Sequence, residues 1–137
     1  MARIQQNNFS GAIEDYERAL KLAPENINIW HNMSLCRMKQ DDYEGAKKNL
    51  DDLIVISPRY TSAYLMRGEV NLKRNDTIAA EKDINKAIEI DRYEPDTWAS
   101  RGMLRLMTQQ YKDAEEDLTQ AIYLSVRNAG LYINRAL

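Results

Sequence analysis

The stretch Ala63–Val70, "AYLMRGEV", decides the reading of the chain. It looks like one apolar face of a helix, yet Arg67 and Gly68 sit side by side within it. A glycine inside a helix costs about 1 kcal/mol against alanine. An arginine buried there costs more unless it is paired. The same two residues return as Arg101–Gly102, thirty-four residues on.

Laid out in rows of thirty-four, the chain aligns without a gap, and such periods mark repeat architectures. An aromatic recurs at Trp30, Tyr64, Trp98 and Tyr132, and a small residue four positions later at Ser34, Gly68, Gly102 and Ala136. Alanine recurs at Ala12, Ala46, Ala80 and Ala114, and an apolar residue at Tyr16, Leu50, Ile84 and Leu118. Each row predicts two helices. The first begins just before the aromatic and ends near a polar pair, Asp41–Asp42, Asn75–Asp76 or Gln109–Gln110, that favours a tight turn. The second spaces apolar and small residues at three and four positions and stops at Pro24 and Pro58. Loops this short predict antiparallel neighbours. The small columns then lie where two helix backbones approach, which gives Gly68 and Gly102 a reason.

Period and motif together resemble the tetratricopeptide repeat. "WHNMSLCRM", "AYLMRGEVNL" and "TWASRGMLRL" match its first helix, helix A. "YEGAKKNLDDLIVISP", "TIAAEKDINKAIEID" and "YKDAEEDLTQAIYL" match its second, helix B. The resemblance covers the whole chain. It implies an all-α fold, a right-handed α-solenoid of antiparallel helix pairs. One domain, 1–137, is expected, with a partial repeat at 1–26, repeats at 27–60, 61–94 and 95–128, and a further fragment at 129–137. The usual aromatic near the end of helix A is replaced by Arg37, Asn71 and Arg105, and the closing proline by Arg92 and Val126. The sequence offers no account of the Arg37 column. Both ends fall inside a helix A, so the chain reads as a segment of a longer array. Leu131, Tyr132 and Ile133 are expected to be uncovered, and self-association through uncapped ends follows.

Two columns change together. Rows two and three hold Arg67 with Asp83 and Arg101 with Asp117, whereas row one holds Met33 and Asn49. An antiparallel hairpin puts these columns at similar distances from the turn, so a salt bridge between helix A and helix B is expected in those two rows. The alternative is an arginine that snorkels to solvent.

Composition excludes several function classes. The chain is 44% apolar and 29% charged, a globular mix. Nineteen basic and twenty-one acidic side chains leave a net charge of −2, with no basic run longer than two residues, so nucleic acid is not an expected partner. No run is long enough to insert into a membrane. The N-terminus "MARIQQNNFS" has no apolar h-region. The single Cys36 excludes an intrachain disulfide but does not fix the compartment. Catalysis, cofactors and metals find no constellation. His31 is the lone histidine, and Cys36 lies about 500° of helical rotation from it. No enzyme is expected.

What remains is a surface. The helix A arc opposite helix B gathers Asn28, His31, Asn32, Leu35 and Met38 in row one and Leu65, Met66, Glu69 and Lys73 in row two. Row three adds Ser100, Met103 and Met107. In the family this arc lines the concave face, where extended or helical peptides bind. Met38, Met66, Met103 and Met107 suit a surface that accepts varied apolar partners. They could equally fill gaps between successive A helices, and periodicity leaves both open. The family's carboxylate clamp for chaperone C-termini does not match, because its columns hold His31, Leu35, Met66, Asp96 and Ser100 here. The expected function is a non-catalytic scaffold binding a protein or peptide in its concave groove. The alternative is an assembly module that stacks end to end.

Overall fold

The computed structural model describes the backbone of residues 8–136 and the side chains of residues 8–130. Among the described residues seven helices follow one another: α1 (Phe9–Leu22), α2 (Ile27–Lys39), α3 (Tyr43–Ile56), α4 (Thr61–Lys73), α5 (Thr77–Ile90), α6 (Pro95–Met107) and α7 (Tyr111–Ala136). There is no strand among the described residues. Each helix packs on the next in sequence, and α4 also touches α6 directly. That is an all-α solenoid, with α2, α4 and α6 as A helices and α1, α3, α5 and α7 as B helices.

The polar pairs make the A-to-B turns. Asp41, Asn75 and Gln109 take left-handed φ values of 60°, 63° and 63°, one per row. Asp and Asn tolerate that region; Gln109 adopts it with less to recommend it. The turn is closed by Asp42 N–H to the Arg37 carbonyl at 2.9 Å, with Asp76 to Asn71 and Gln110 to Arg105 repeating it at 2.9 and 2.8 Å. Asp42 and Asp76 then cap the B helices by accepting from Gly45 N and Ala79 N.

The aromatic column fixes the opposite, B-to-A connection. Trp30 Nε1 donates to the Pro24 carbonyl at 2.9 Å, Tyr64 Oη to that of Pro58 at 2.8 Å and Trp98 Nε1 to that of Arg92 at 2.8 Å. Like columns therefore occupy like places, and the polar tip of each ring is satisfied by a loop carbonyl.

The core is a series of clusters between helices. Ala46, Leu50, Leu53, Ala63, Met66 and Val70 form one, Phe9, Ala12, Ile13, Met33 and Cys36 another, and Ile84, Ile88 and Leu104 a third. The small columns set the helix approach. A Cβ added to Gly68 would lie 2.9 Å from Ile84 Cγ1, and one on Gly102 2.8 Å from Leu118 Cδ2.

The end of the chain departs from the expected pattern. The repeat pitch predicts a boundary before residue 129, at the column of Pro24 and Pro58, but α7 continues as one helix of 26 residues. Val126 occupies the proline column and no proline follows, whereas Pro95 ends the corresponding linker one row earlier. The side chains of Leu131, Tyr132 and Ile133, expected to be uncovered, lie outside the described residues, as do residues 1–7.

Candidate functional site

Arg67 donates from Nε and Nη2 to the two carboxylate oxygens of Asp83 at 3.0 and 2.7 Å. Arg101 repeats the fork on Asp117 at 3.0 and 2.9 Å. Asp83 and Asp117 are buried. The third guanidinium donor reaches back to the preceding B helix: Arg67 Nη1 to Asp51 at 2.9 Å, and Arg101 Nη1 to Asn85 at 3.0 Å. Each arginine thus binds three helices together, and each lies over the aromatic of its own helix, Tyr64 or Trp98. The Arg37 column, which the sequence left without an account, faces the same carboxylates. Asn71 Nδ2 donates to Asp83 at 2.9 Å and Arg105 Nη1 to Asp117 at 2.7 Å. In row one the acceptor is Asn49, so Arg37 turns to Asp42 and Glu17 instead. These groups pair mostly with one another and build the scaffold, while Arg37 Nε, Asn49 Nδ2 and Arg105 Nε are buried without a hydrogen-bond partner.

The surface left free is the A-helix face turned away from the B helices. Asn28 and Asn32 are exposed on α2. Leu35, Met103 and Met107 are open to solvent at 38%, 55% and 60%, and Leu106 lies beside them at 39%. Glu69 and Lys73 are exposed on α4, and Ser100 is half-buried on α6. Among the described residues neither Glu69 nor Lys73 forms an ion pair. Partial desolvation, and after it the charge of Asp96 on α6, hold the Glu69 carboxyl above the ordinary glutamate range.

Four expected groove residues turn inward or sideways. Met66 is buried among Ala46, Leu50, Leu53, Ala63 and Val70, and Met38 packs half-buried against that cluster. Leu65 packs on Ile84, Ile88 and Leu104. Of the two readings left open for these four methionines, gap filling describes Met66 and Met38, which pack between repeats, whereas Met103 and Met107 face outward. His31 is tied up as well, its Nδ1 lying 2.7 Å from Tyr60 Oη. Tyr60 precedes α4, so this contact links α2 to the next repeat. The sequence reading missed Tyr60; its position in the residue before helix A was the available signal.

Other chemistry is sparse. Among the described residues no three His, Cys, Asp or Glu gather as a metal site. Cys36 is buried, and that burial raises its thiol pKa above the usual range, against a smaller opposing effect of Lys39. No helix among the described residues is long and apolar enough to cross a membrane.

Comparisons with known proteins bear on this architecture. A family model described as "TPR repeat" matches residues 2–41, and one described as "Tetratricopeptide repeat" matches residues 61–94. No curated protein matches the chain. Among solved structures, that of MamA is similar at 22% identity and a TM-score of 0.78, covering 87% of this chain and 70% of that one. A second MamA structure, from Desulfovibrio magneticus RS-1, is 19% identical with a TM-score of 0.79 over 88% and 68%. TTC0263, a thermophilic TPR protein from Thermus thermophilus, is 18% identical with a TM-score of 0.80 over 95% and 72%. At such identities the likeness speaks to the fold. The two family matches together span more than half of the chain, over antiparallel helix pairs that recur every thirty-four residues; the chain belongs to the tetratricopeptide repeat family.

Proposed function

We propose that the chain is a non-catalytic protein-interaction scaffold that binds a peptide or helix in the groove lined by α2, α4 and α6. Tetratricopeptide repeats usually serve in protein binding, and the finer reading rests on one observation. Leu35, Met103, Leu106 and Met107 are exposed on the A-helix face, where no other described element of the chain covers them. Large apolar side chains gathered on one face mark interaction sites. A groove of this kind accepts an extended or helical segment through a few apolar anchors. Selection of a displayed peptide library on the chain tests the reading. Binders are expected to lose affinity when Leu35, Met103 and Met107 are changed together to glutamate. The circular dichroism melt should stay that of the parent, because these three side chains are exposed. Binders indifferent to the triple change would sink the groove.

A second reading has its own observation. Ile122, Tyr123 and Val126 are 66%, 57% and 66% exposed on α7. Ile88, one row before Ile122, is buried. The alternative function is therefore an assembly module that stacks repeats end to end. Sedimentation decides: oligomers that grow with concentration, vanish in Ile122→Glu and ignore groove peptides favour assembly.

A further inference from the structure

Leu35, Glu69 and Met103 occupy one column, at the same place on α2, α4 and α6. The His31–Tyr60 contact ties α2 to the start of α4, and α4 touches α6, so the three positions form a line across the groove. The line reads apolar, acidic, apolar. Its centre is reinforced by Asp96 in the first turn of α6, whose charge is felt by Glu69. Among the described residues neither carboxylate has a cationic partner. Glu94, the next acid, is engaged at the α6 N-terminus, accepting from Asp96 N at 3.4 Å. The cations of this face stand in a separate row one turn on, where Lys39, Lys73 and Met107 share a column. Two unpaired negative charges flanked by apolar platforms call for a positive charge flanked by apolar side chains.

The spacing narrows the occupant further. Packed helices lie about 8–10 Å apart. A chain in polyproline II geometry rises about 3.1 Å per residue with three residues per turn, so every third side chain returns to one face after about 9 Å. That step matches α4 to α6, which pack directly on each other. Resting on the groove reading above, we infer that the partner is an extended segment with a lysine or arginine three residues from an apolar anchor on either side. The basic group sits between Glu69 and Asp96, and the anchors lie on Leu35 and Met103. An isolated α-helix fits less well, because its rise of about 1.5 Å per residue spreads the same three contacts over roughly a dozen residues.

The test uses the whole chain and three synthetic peptides. All have a glycine–serine background and two phenylalanines six positions apart; the midpoint is arginine, glutamine or glutamate. By fluorescence anisotropy the arginine peptide is expected to bind at least tenfold tighter than the glutamate peptide. The advantage should shrink in molar salt, where exposed charges are screened. It should collapse in the double variant Glu69→Gln with Asp96→Asn, whose melt is recorded alongside to show that it folds. If the three peptides bind alike, or the arginine preference survives in the double variant, the inference fails. If at the same time Leu35→Glu and Met103→Glu abolish binding, the groove reading stands without it. If no peptide binds, or binding ignores Leu35→Glu and Met103→Glu, both fall together.

Discussion

Arg67 and Asp83 meet through a two-pronged fork, 3.0 Å from Nε and 2.7 Å from Nη2, and the same atoms join Arg101 to Asp117 at 3.0 and 2.9 Å thirty-four residues later. Asp83 is only 5% exposed, so its charge is not shared with water. Removing one partner of a buried pair strands the other. Asp83→Ala is expected to destabilise the chain by about 3 kcal/mol in urea unfolding. Exchanging the charges, Arg67→Asp with Asp83→Arg, should recover part of the loss. Recovery stays partial because Asp51, which also accepts from Arg67, would then face a carboxylate. An Asp83→Ala midpoint equal to the parent's would show that the fork contributes little.

Row one lacks this pair, and its vacancy is testable. Met33 and Asn49 stand in the columns of Arg67 and Asp83, and both are buried. Asn49 Nδ2 and Arg37 Nε are buried without hydrogen-bond partners. Met33→Arg alone should destabilise by burying a charge without its fork partner, whereas Asn49→Asp alone places its carboxylate in the column that Arg37 faces, as Asp117 meets Arg105. Together they rebuild the fork, with Glu17 in the column of Asp51. A double-mutant cycle is expected to give a favourable coupling of about 1–3 kcal/mol. Additive effects would mean that the columns do not face each other in row one.

Two glycines on helices should respond oppositely to alanine. At Gly68 the new Cβ would press to 2.9 Å from Ile84 Cγ1, in a buried site. Overpacking of this kind costs about 1–3 kcal/mol and outweighs the gain in helix propensity. At Gly130 a Cβ meets nothing within 4 Å. Gly130→Ala should therefore stabilise α7 by up to about 1 kcal/mol. Thermal melts of the two variants check the pair.

Methionines that look alike in sequence should separate in the laboratory. Met66 is 8% exposed and Met107 60%. Met66→Ala is expected to cost about 2–5 kcal/mol, whereas Met107→Ala should stay within about 0.5 kcal/mol. Denaturant midpoints of the two variants measure the difference.

Glu69 gives a pH signature. Its folded-state pKa lies above the ordinary glutamate value, through desolvation first and Asp96 second. The folded chain therefore holds this proton more tightly than the unfolded chain does. Stability from this group is greatest at acid pH and falls as pH rises from the ordinary glutamate range through the raised folded value. Glu69→Gln should melt higher than the parent at neutral pH. The difference should vanish below about pH 4, where the unfolded glutamate is protonated too. A difference that persists or grows toward acid would reverse the assignment.

The sequence by itself determined the period, the turns, the helix pairing and the fork between Arg67 and Asp83. Each is written at a fixed interval, and an exact thirty-four-residue pitch makes like columns meet like neighbours. It also marked the A-helix arc as the free face, because 100° of rotation per residue separates that arc from the B-helix contact. Tertiary structure alone decided which residues of the arc are open. Met66 and Met103 have the same chemistry and stand in columns three residues, about 60°, apart on helix A, but Met66 is enclosed by the cluster of α3 and α4 while Met103 is left bare. The Arg37 column was likewise illegible, since its acceptor is the buried aspartate of the following B helix in rows two and three but Asp42 and Glu17 in row one. So was the unbroken α7: with no proline in the stop column, local sequence permits helix or turn, and the helical backbone continues where nothing breaks its hydrogen bonds. Periodicity specifies which positions correspond; burial depends on what packs against each of them, and that is a property of three dimensions.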